Sequence, residues 1–112
     1  MTFADLKKKN RERCEEVFHP IDSWTPTDWA CALAGEVGEA CNLIKKMRRG
    51  DPKITRIDVG EELADVVIYA DLLAQRLGLD LGYEVQMKFN LVSERRGSSV
   101  ILQDTPVRDE PR

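Results

Sequence analysis

A chain of 112 residues with 42% hydrophobic and 33% charged side chains holds one domain's worth of core, near the size at which helical proteins complete that core with a second copy. No apolar run approaches the roughly 20 residues of a membrane span, and the N-terminus has no apolar segment followed by a small-residue cleavage site, so a soluble, cytoplasmic protein is expected. The net charge of −3 with only local basic clusters leaves no extended basic face, which argues against duplex nucleic acid as a partner.

The first helix is expected from about Thr2 to Phe18, with Phe3, Leu6, Cys14 and Val17 near one face and a charged opposite face. His19-Pro20 breaks it. Thr25-Pro26-Thr27-Asp28 then supplies an N-cap threonine, a proline at the first helical position and an acid three residues on, so a second helix starts at Pro26 and runs to about Arg48. Trp29, Leu33, Val37, Ala40, Ile44 and Met47 keep its helical period, and Gly50 stops it. The third helix is expected over Thr55 to Leu77, closed by Gly78. The fourth is capped by Asp80 and runs to about Arg96, with Val85, Phe89 and Val92 as its apolar stripe and Gly97 as its stop. Residues 1–97 thus form one all-α domain, and 98–112, with two prolines and no period, an irregular tail. Cys14, Cys31 and Cys41 match no zinc or redox spacing and are expected to be reduced packing residues.

Glu36 and Glu39 stand at i and i+3 on the second helix, so their Cβ atoms lie roughly 5–6 Å apart on one face. Glu62 and Asp65 repeat that spacing on the third, and both pairs are embedded in apolar stretches. Buried like charges need a cation or must take up protons. Four oxygen donors suit a hard divalent ion, Mg2+ first and Mn2+ as a substitute, with a substrate phosphate supplying further ligands. The competing reading is that these acids are solvated charges on amphipathic helices; two pairs on consecutive helices weigh against it. Gly35 and Gly38 also sit mid-helix, where each costs up to about 1 kcal/mol against alanine, as if a partner backbone or a ligand needed the space. A di-iron carboxylate bundle would need Glu-x-x-His on its helices, and the single histidine, His19, is in a loop.

Gly35-Glu36-Val37-Gly38-Glu39-Ala40 followed by Glu61-Glu62-Leu63-Ala64-Asp65-Val66-Val67-Ile68-Tyr69 resembles the Glu-x-x-Glu and Glu-x-x-Asp signature of the MazG-like all-α nucleoside triphosphate pyrophosphatases. The resemblance spans about residues 15 to 102. Phe18-His19-Pro20 is similar to the segment before the first metal helix in the dCTP pyrophosphatase branch, and Lys88 to Arg95 resembles the basic end of the last family helix. The resemblance implies a four-helix, bundle-like chain completed as a homodimer or a homotetramer built as a dimer of dimers. It also implies a hydrolase that cuts a nucleoside triphosphate, dCTP being one example, between the α- and β-phosphates to give a monophosphate and pyrophosphate in nucleotide-pool housekeeping. By that mapping Glu36, Glu39, Glu62 and Asp65 hold the metal, and one of them or Glu61 activates the water.

Lys88 and Arg95, seven residues apart on one helical face, are the candidate phosphate contacts. The branches with Asn four residues after the lysine differ here, since Val92 stands there. His19 and Trp24 are the candidate base contacts, because stacking on an aromatic face is tolerant of base identity. Trp29 falls on the apolar stripe and reads as core. Two rivals stay open: a phosphoribosyl-ATP pyrophosphohydrolase on the same scaffold, and a non-catalytic helical interaction module.

Overall fold

A computed structural model describes residues 1–103; the part of the expected tail that falls at 104–112 lies outside the described residues. Four α-helices follow one another, α1 (Phe3–Arg13), α2 (Pro26–Arg48), α3 (Arg56–Arg76) and α4 (Leu81–Arg95), and the described residues contain no strand. A π-helical turn, Cys14–Phe18, continues α1, and a 3-10 turn, Ile21–Ser23, precedes α2.

Three of the helix starts use one device. Thr2, Thr25 and Thr55 each accept a hydrogen bond at Oγ1 from the main chain of Asp5, Asp28 and Asp58, at 3.1, 3.1 and 3.4 Å. Each aspartate accepts one back from the threonine N–H, at 2.8, 2.9 and 2.8 Å. Such caps satisfy donors that the first turn leaves open and are typically worth about 1 kcal/mol each. The same hydrogen bonds hold the Asp5 and Asp28 carboxyls below their ordinary value. Asp80 caps α4 through the Tyr83 N–H at 3.0 Å, as expected. At the other ends, Gly50 and Gly78 take φ of 84° and 72°, which closes α2 and α3 in the left-handed region.

α3 is the central element. Trp29 meets Tyr69, Glu36 meets Glu62 and Asp65, and Ile44 lines one groove with Val59 and Gly60, so α2 runs antiparallel along one flank of α3. On another flank Asn10 bonds to Ile68 and Asp71 and Lys7 to Gln75, so α1 is antiparallel to α3 as well. α4 begins beside the start of α1, where a Cβ on Gly82 would stand 2.7 Å from the Phe3 Cβ, and Lys7 reaches Asp80 at 3.4 Å. Gly82 is thus the glycine that a close approach requires. At Gly35 and Gly38 no described atom beyond their own stretch of helix comes within 4 Å of an added Cβ, so packing inside one chain does not account for them.

Only a small core closes: Cys14, Ile21, Trp29 and Leu72, flanked by Trp24, Ile68, Tyr69 and Leu73. The radius of gyration is 16.5 Å, against about 13 Å for a compact domain near this size. The expectation of an all-α chain of four helices is met, and one chain by itself does not close a bundle. Val85, Phe89 and Val92, the stripe on α4, remain 37%, 42% and 44% exposed. Val37, Ile44 and Met47 on α2 are also exposed, whereas Trp29 and Ala40 are buried. All three cysteines are free, as expected, but only Cys14 is a packing residue; Cys31 and Cys41 are exposed. No helix among the described residues is long and apolar enough to cross a membrane.

Candidate metal centre

On α2 the inward stripe runs through Trp29, Glu36 and Ala40, seven and four residues apart, which turns the Glu36 carboxylate toward α3 instead of solvent. On α3 Glu62, Asp65, Tyr69 and Leu72 follow the same rule and face back. The antiparallel pairing then brings Glu36, Glu62 and Asp65, all half-buried, together with one carboxylate oxygen from each within 4.8 Å of the others.

Two oxygens in this group, Glu36 Oε2 and Glu62 Oε2, are buried and have no hydrogen-bond partner. Buried polar atoms are almost always paired, so these two mark a place built for something else. The Glu62 carboxyl is pushed up to about 7, first by burial, then by hydrogen bonds that its protonated form donates to the neighbouring Glu39 and Glu36 carboxyls and by the repulsion of their charges. Three carboxylates at this spacing, with two oxygens unpaired, fit a hard divalent cation. Glu39 is exposed, one turn beyond Glu36, outside the group of three but near enough to act on Glu62. Glu61 is exposed on the neighbouring face.

Asp65 has a second neighbourhood. It lines a cavity of about 200 Å3 together with Asn10, Arg13, Cys14, Phe18, His19, Trp24, Trp29, Ile68, Tyr69 and Leu72. Beside the cavity the π-turn carries one extra residue: the His19 N–H donates to the Cys14 carbonyl, five residues back, at 2.9 Å. That shift leaves Cys14 buried and puts Phe18 and His19 at the rim. Ile21, fully buried, plugs the base of the loop, and its carbonyl accepts a 3.0 Å bond from Trp29 Nε1. Arg76 Nε donates to the Trp24 carbonyl at 2.8 Å and so ties the loop to α3.

The rings form a continuous wall. His19 stacks on Trp24 at 4.3 Å, Trp24 leans on Trp29 at 4.6 Å, and Trp29 meets Tyr69 at 6.2 Å between centroids. His19 Nδ1 lies 3.0 Å from the Pro20 carbonyl, which can only accept, so Nδ1 carries the proton there. The Tyr69 hydroxyl is raised above its ordinary range by burial, then by the charges of Glu36 and Asp65.

The inner wall holds a polar network that sequence reasoning missed. Asn10 Nδ2 donates to the Ile68 carbonyl at 3.0 Å and to Asp71 Oδ2 at 2.9 Å. Gln75 Nε2 donates to the same Asp71 oxygen, and to the Lys7 carbonyl, at 2.9 Å each. Neutral amides thus hold a carboxylate that is 1% exposed. The usable signal was the spacing of Leu6, Asn10 and Cys14, each four residues from the last. Of the expected contacts, His19 and Trp24 reach the cavity, and Trp29 is core as read. Lys88 and Arg95 are exposed on α4 and line neither the cavity nor the acid group.

With this geometry in hand, comparison with known proteins adds one relative, human dCTP pyrophosphatase 1, 33% identical over 104 residues. The chain is similar to a nucleotide pyrophosphatase. The alignment covers 84% of this chain and 58% of the human protein, so the chain spans less than two thirds of that relative's length. No protein-family model matches the chain. No solved structure matches it either.

Proposed function

We propose that this protein is a divalent-cation-dependent nucleoside triphosphate pyrophosphohydrolase that cleaves between the α- and β-phosphates. The observation that carries the reading is Asp65, which belongs at once to a carboxylate group with unpaired buried oxygens and to an aromatic cavity. A ligand with a planar ring at one end and a metal-binding polyanion at the other spans the two. The similarity to a dCTP pyrophosphatase and the resemblance to the MazG-like signature point the same way.

In this reading Glu36, Glu62 and Asp65 hold Mg2+, with Mn2+ as a substitute and Glu39 as a further ligand from its place one turn along α2. The bound cation supplies charge neutralisation on the phosphates and lowers the pKa of coordinated water. His19 and Trp24 hold the base, and the ring wall keeps water from that side. Glu39 or Glu61, exposed beside the group, takes the proton as water attacks the α-phosphorus, the bond to the bridging oxygen breaks, and pyrophosphate leaves. Little covalent help is needed, since positioning and charge do most of the work in such transfers.

Lys88 and Arg95 keep their proposed phosphate role only if α4 of another copy or a closing movement brings them near. The open apolar stripe on α4 and the exposed residues of α2 support a homodimer or homotetramer, which sedimentation at micromolar concentration tests. The proposed setting is cytoplasmic nucleotide housekeeping, acting on a free nucleotide and not on duplex nucleic acid or membrane. The test is a nucleotide panel run with Mg2+ and with chelator, scoring pyrophosphate separately from orthophosphate. Release of orthophosphate alone, or turnover that persists in chelator, rules the reading out.

A further inference from the structure

The cavity and the acid group meet at Asp65, so the phosphate next to a base seated among the rings lies close to that point. At about 200 Å3 the cavity falls below the ~300–1,000 Å3 of pockets that take a drug-sized ligand, so it suits one ring, with sugar and phosphates at the mouth. The acid group holds three carboxylates, and a divalent ion has no positive charge to spare there once all three are ionised. A polyanion arriving beside it calls for a further cation. Among the described residues Arg13, the last residue of α1, is the one lysine or arginine that lines the cavity.

Arg13 is exposed and also borders a second groove, lined by Leu6, Lys9, Glu12 and Glu16 among others. Two observations turn it to the cavity. The second groove offers Glu12 and Glu16, and Arg13 pairs with neither, whereas Lys7, Lys9 and Arg11 on the same helix each take an acid, at 3.4, 3.4 and 4.0 Å. Burial raises the Cys14 thiol and the Tyr69 hydroxyl, and the Arg13 charge acts against that rise at both; these two residues line the cavity and not the second groove. Glu36 and Asp65 act on the same hydroxyl, so the guanidinium and two of the acids share one neighbourhood. Even so, Arg13 forms no ion pair with an acid among the described residues. Its fork of donors is left open where the rings end and the acids begin, and that fork matches two oxygens of one phosphate.

We infer that Arg13 is a phosphate-binding residue, whose guanidinium takes the non-bridging oxygens of the α-phosphate at the mouth of the cavity. This rests on the proposed function in one respect, that the base occupies the cavity. The α-phosphate is the one nearest the base, and it stays with the nucleoside after cleavage. Arg13 therefore holds substrate and monophosphate product alike, and has no contact with the pyrophosphate that leaves. Charge that builds on the α-phosphate oxygens as water attacks is stabilised by the same fork.

The experiment titrates dCMP and deoxycytidine, with Mg2+, against the tryptophan fluorescence of the full chain and of Arg13→Gln, Arg13→Lys and Lys9→Gln. In parallel it measures pyrophosphate release from dCTP and its inhibition by added pyrophosphate. The wild type is expected to bind dCMP more tightly than deoxycytidine. Arg13→Gln should cut that preference about tenfold, which corresponds to about 1.4 kcal/mol, with deoxycytidine affinity and the melting temperature in chelator unchanged. Its kcat/KM for dCTP should fall about a hundredfold, and inhibition by pyrophosphate should stay as it was. Arg13→Lys keeps the charge without the fork and should fall between. Lys9→Gln, which removes a charge from the second groove, should keep the wild-type preference. A wild type with no preference for dCMP, or an Arg13→Gln variant that retains the full preference, overturns the inference while leaving the hydrolase reading in place if dCTP is still cleaved. An equal loss in Lys9→Gln also overturns it, since the effect is then general charge, as does weaker inhibition by pyrophosphate with dCMP binding intact. No turnover of dCTP, with the dCMP preference present in the wild type and lost in Arg13→Gln, counts against the hydrolase reading and keeps the assignment of Arg13. If Arg13→Gln does not fold, the wild-type preference and Arg13→Lys decide.

Discussion

Replacing Glu62 with Gln removes one negative charge from a group whose three carboxylates lie within 4.8 Å of one another, with little change in volume. The substitution should act with opposite sign on two states of the protein. In chelator at pH 8 the wild-type Glu62 is ionised beside like charges with one oxygen buried and unpaired, so the neutral amide relieves repulsion and the variant melts higher. In Mg2+ the order reverses. A cation at a hundredfold excess over its Kd stabilises the wild type by about 2.7 kcal/mol, which at about 4–8 °C per kcal/mol for a domain near this size raises Tm by about 10–20 °C. The variant, short of one ligand, should gain only a small part of that rise and should lose pyrophosphate release. The pH dependence has its own sign. Glu62 titrates at about 7 in the folded chain against an ordinary 4.5, so between those values the folded state binds a proton that the unfolded chain has released. The contribution of this group to metal-free stability is complete below pH 4.5 and is lost as the pH rises through 7, and Glu62→Gln flattens that decline. Thermal melts at one protein concentration, from pH 5 to 8, in chelator and in Mg2+, read all three effects. A variant that melts lower than wild type in chelator at pH 8 and gains equally from Mg2+ would refute the reasoning and return these acids to solvated surface charge.

Gly82→Ala places a methyl group 2.7 Å from the Phe3 Cβ, and should destabilise the chain by about 1–3 kcal/mol in thermal melts. Trp24→Ala and His19→Ala, which open the ring wall, should mainly raise KM or reorder base preference in the nucleotide panel while kcat holds, since a stacking contact is made in ground and transition states alike. Lys88→Ala and Arg95→Ala, if their proposed phosphate role holds, should lower kcat/KM for every nucleotide to a similar degree, because all carry the same triphosphate.

The helices were legible because their ends are written in local chemistry: Thr25-Pro26-Thr27-Asp28 is a cap by itself, and Gly78 is a stop by itself. The pairing of acids was legible for the same reason, since i, i+3 spacing on two neighbouring helices needs no tertiary knowledge. The finer placement was not. Glu39 and Glu36 look equivalent in sequence, and only the stripe from Trp29 to Ala40 decides that Glu36 turns inward and Glu39 outward. Val17 looked apolar enough for the buried face of α1, but the π-turn advances the chain by one residue and leaves it 60% exposed, while the polar Asn10 is buried at 4%. A hydropathy period cannot anticipate either, because the turn is set by packing over Ile21 and the amide by its partners on α3. The stripe on α4 was read correctly as apolar, yet what should cover it belongs to no helix of the described chain.

Three of the four residues at the centre of the interior, Cys14, Trp29 and Leu72, are also walls of the cavity. The same atoms that keep the molecule folded therefore shape what it can hold, and a ring seated among them would finish the packing that the chain leaves incomplete. Resistance to unfolding and affinity for a small planar molecule should rise and fall together across variants at these positions. Screening for heat tolerance would then select, unasked, on the pocket, and a library varied at Trp29 or Leu72 would report on ligand preference even if it were scored only by survival.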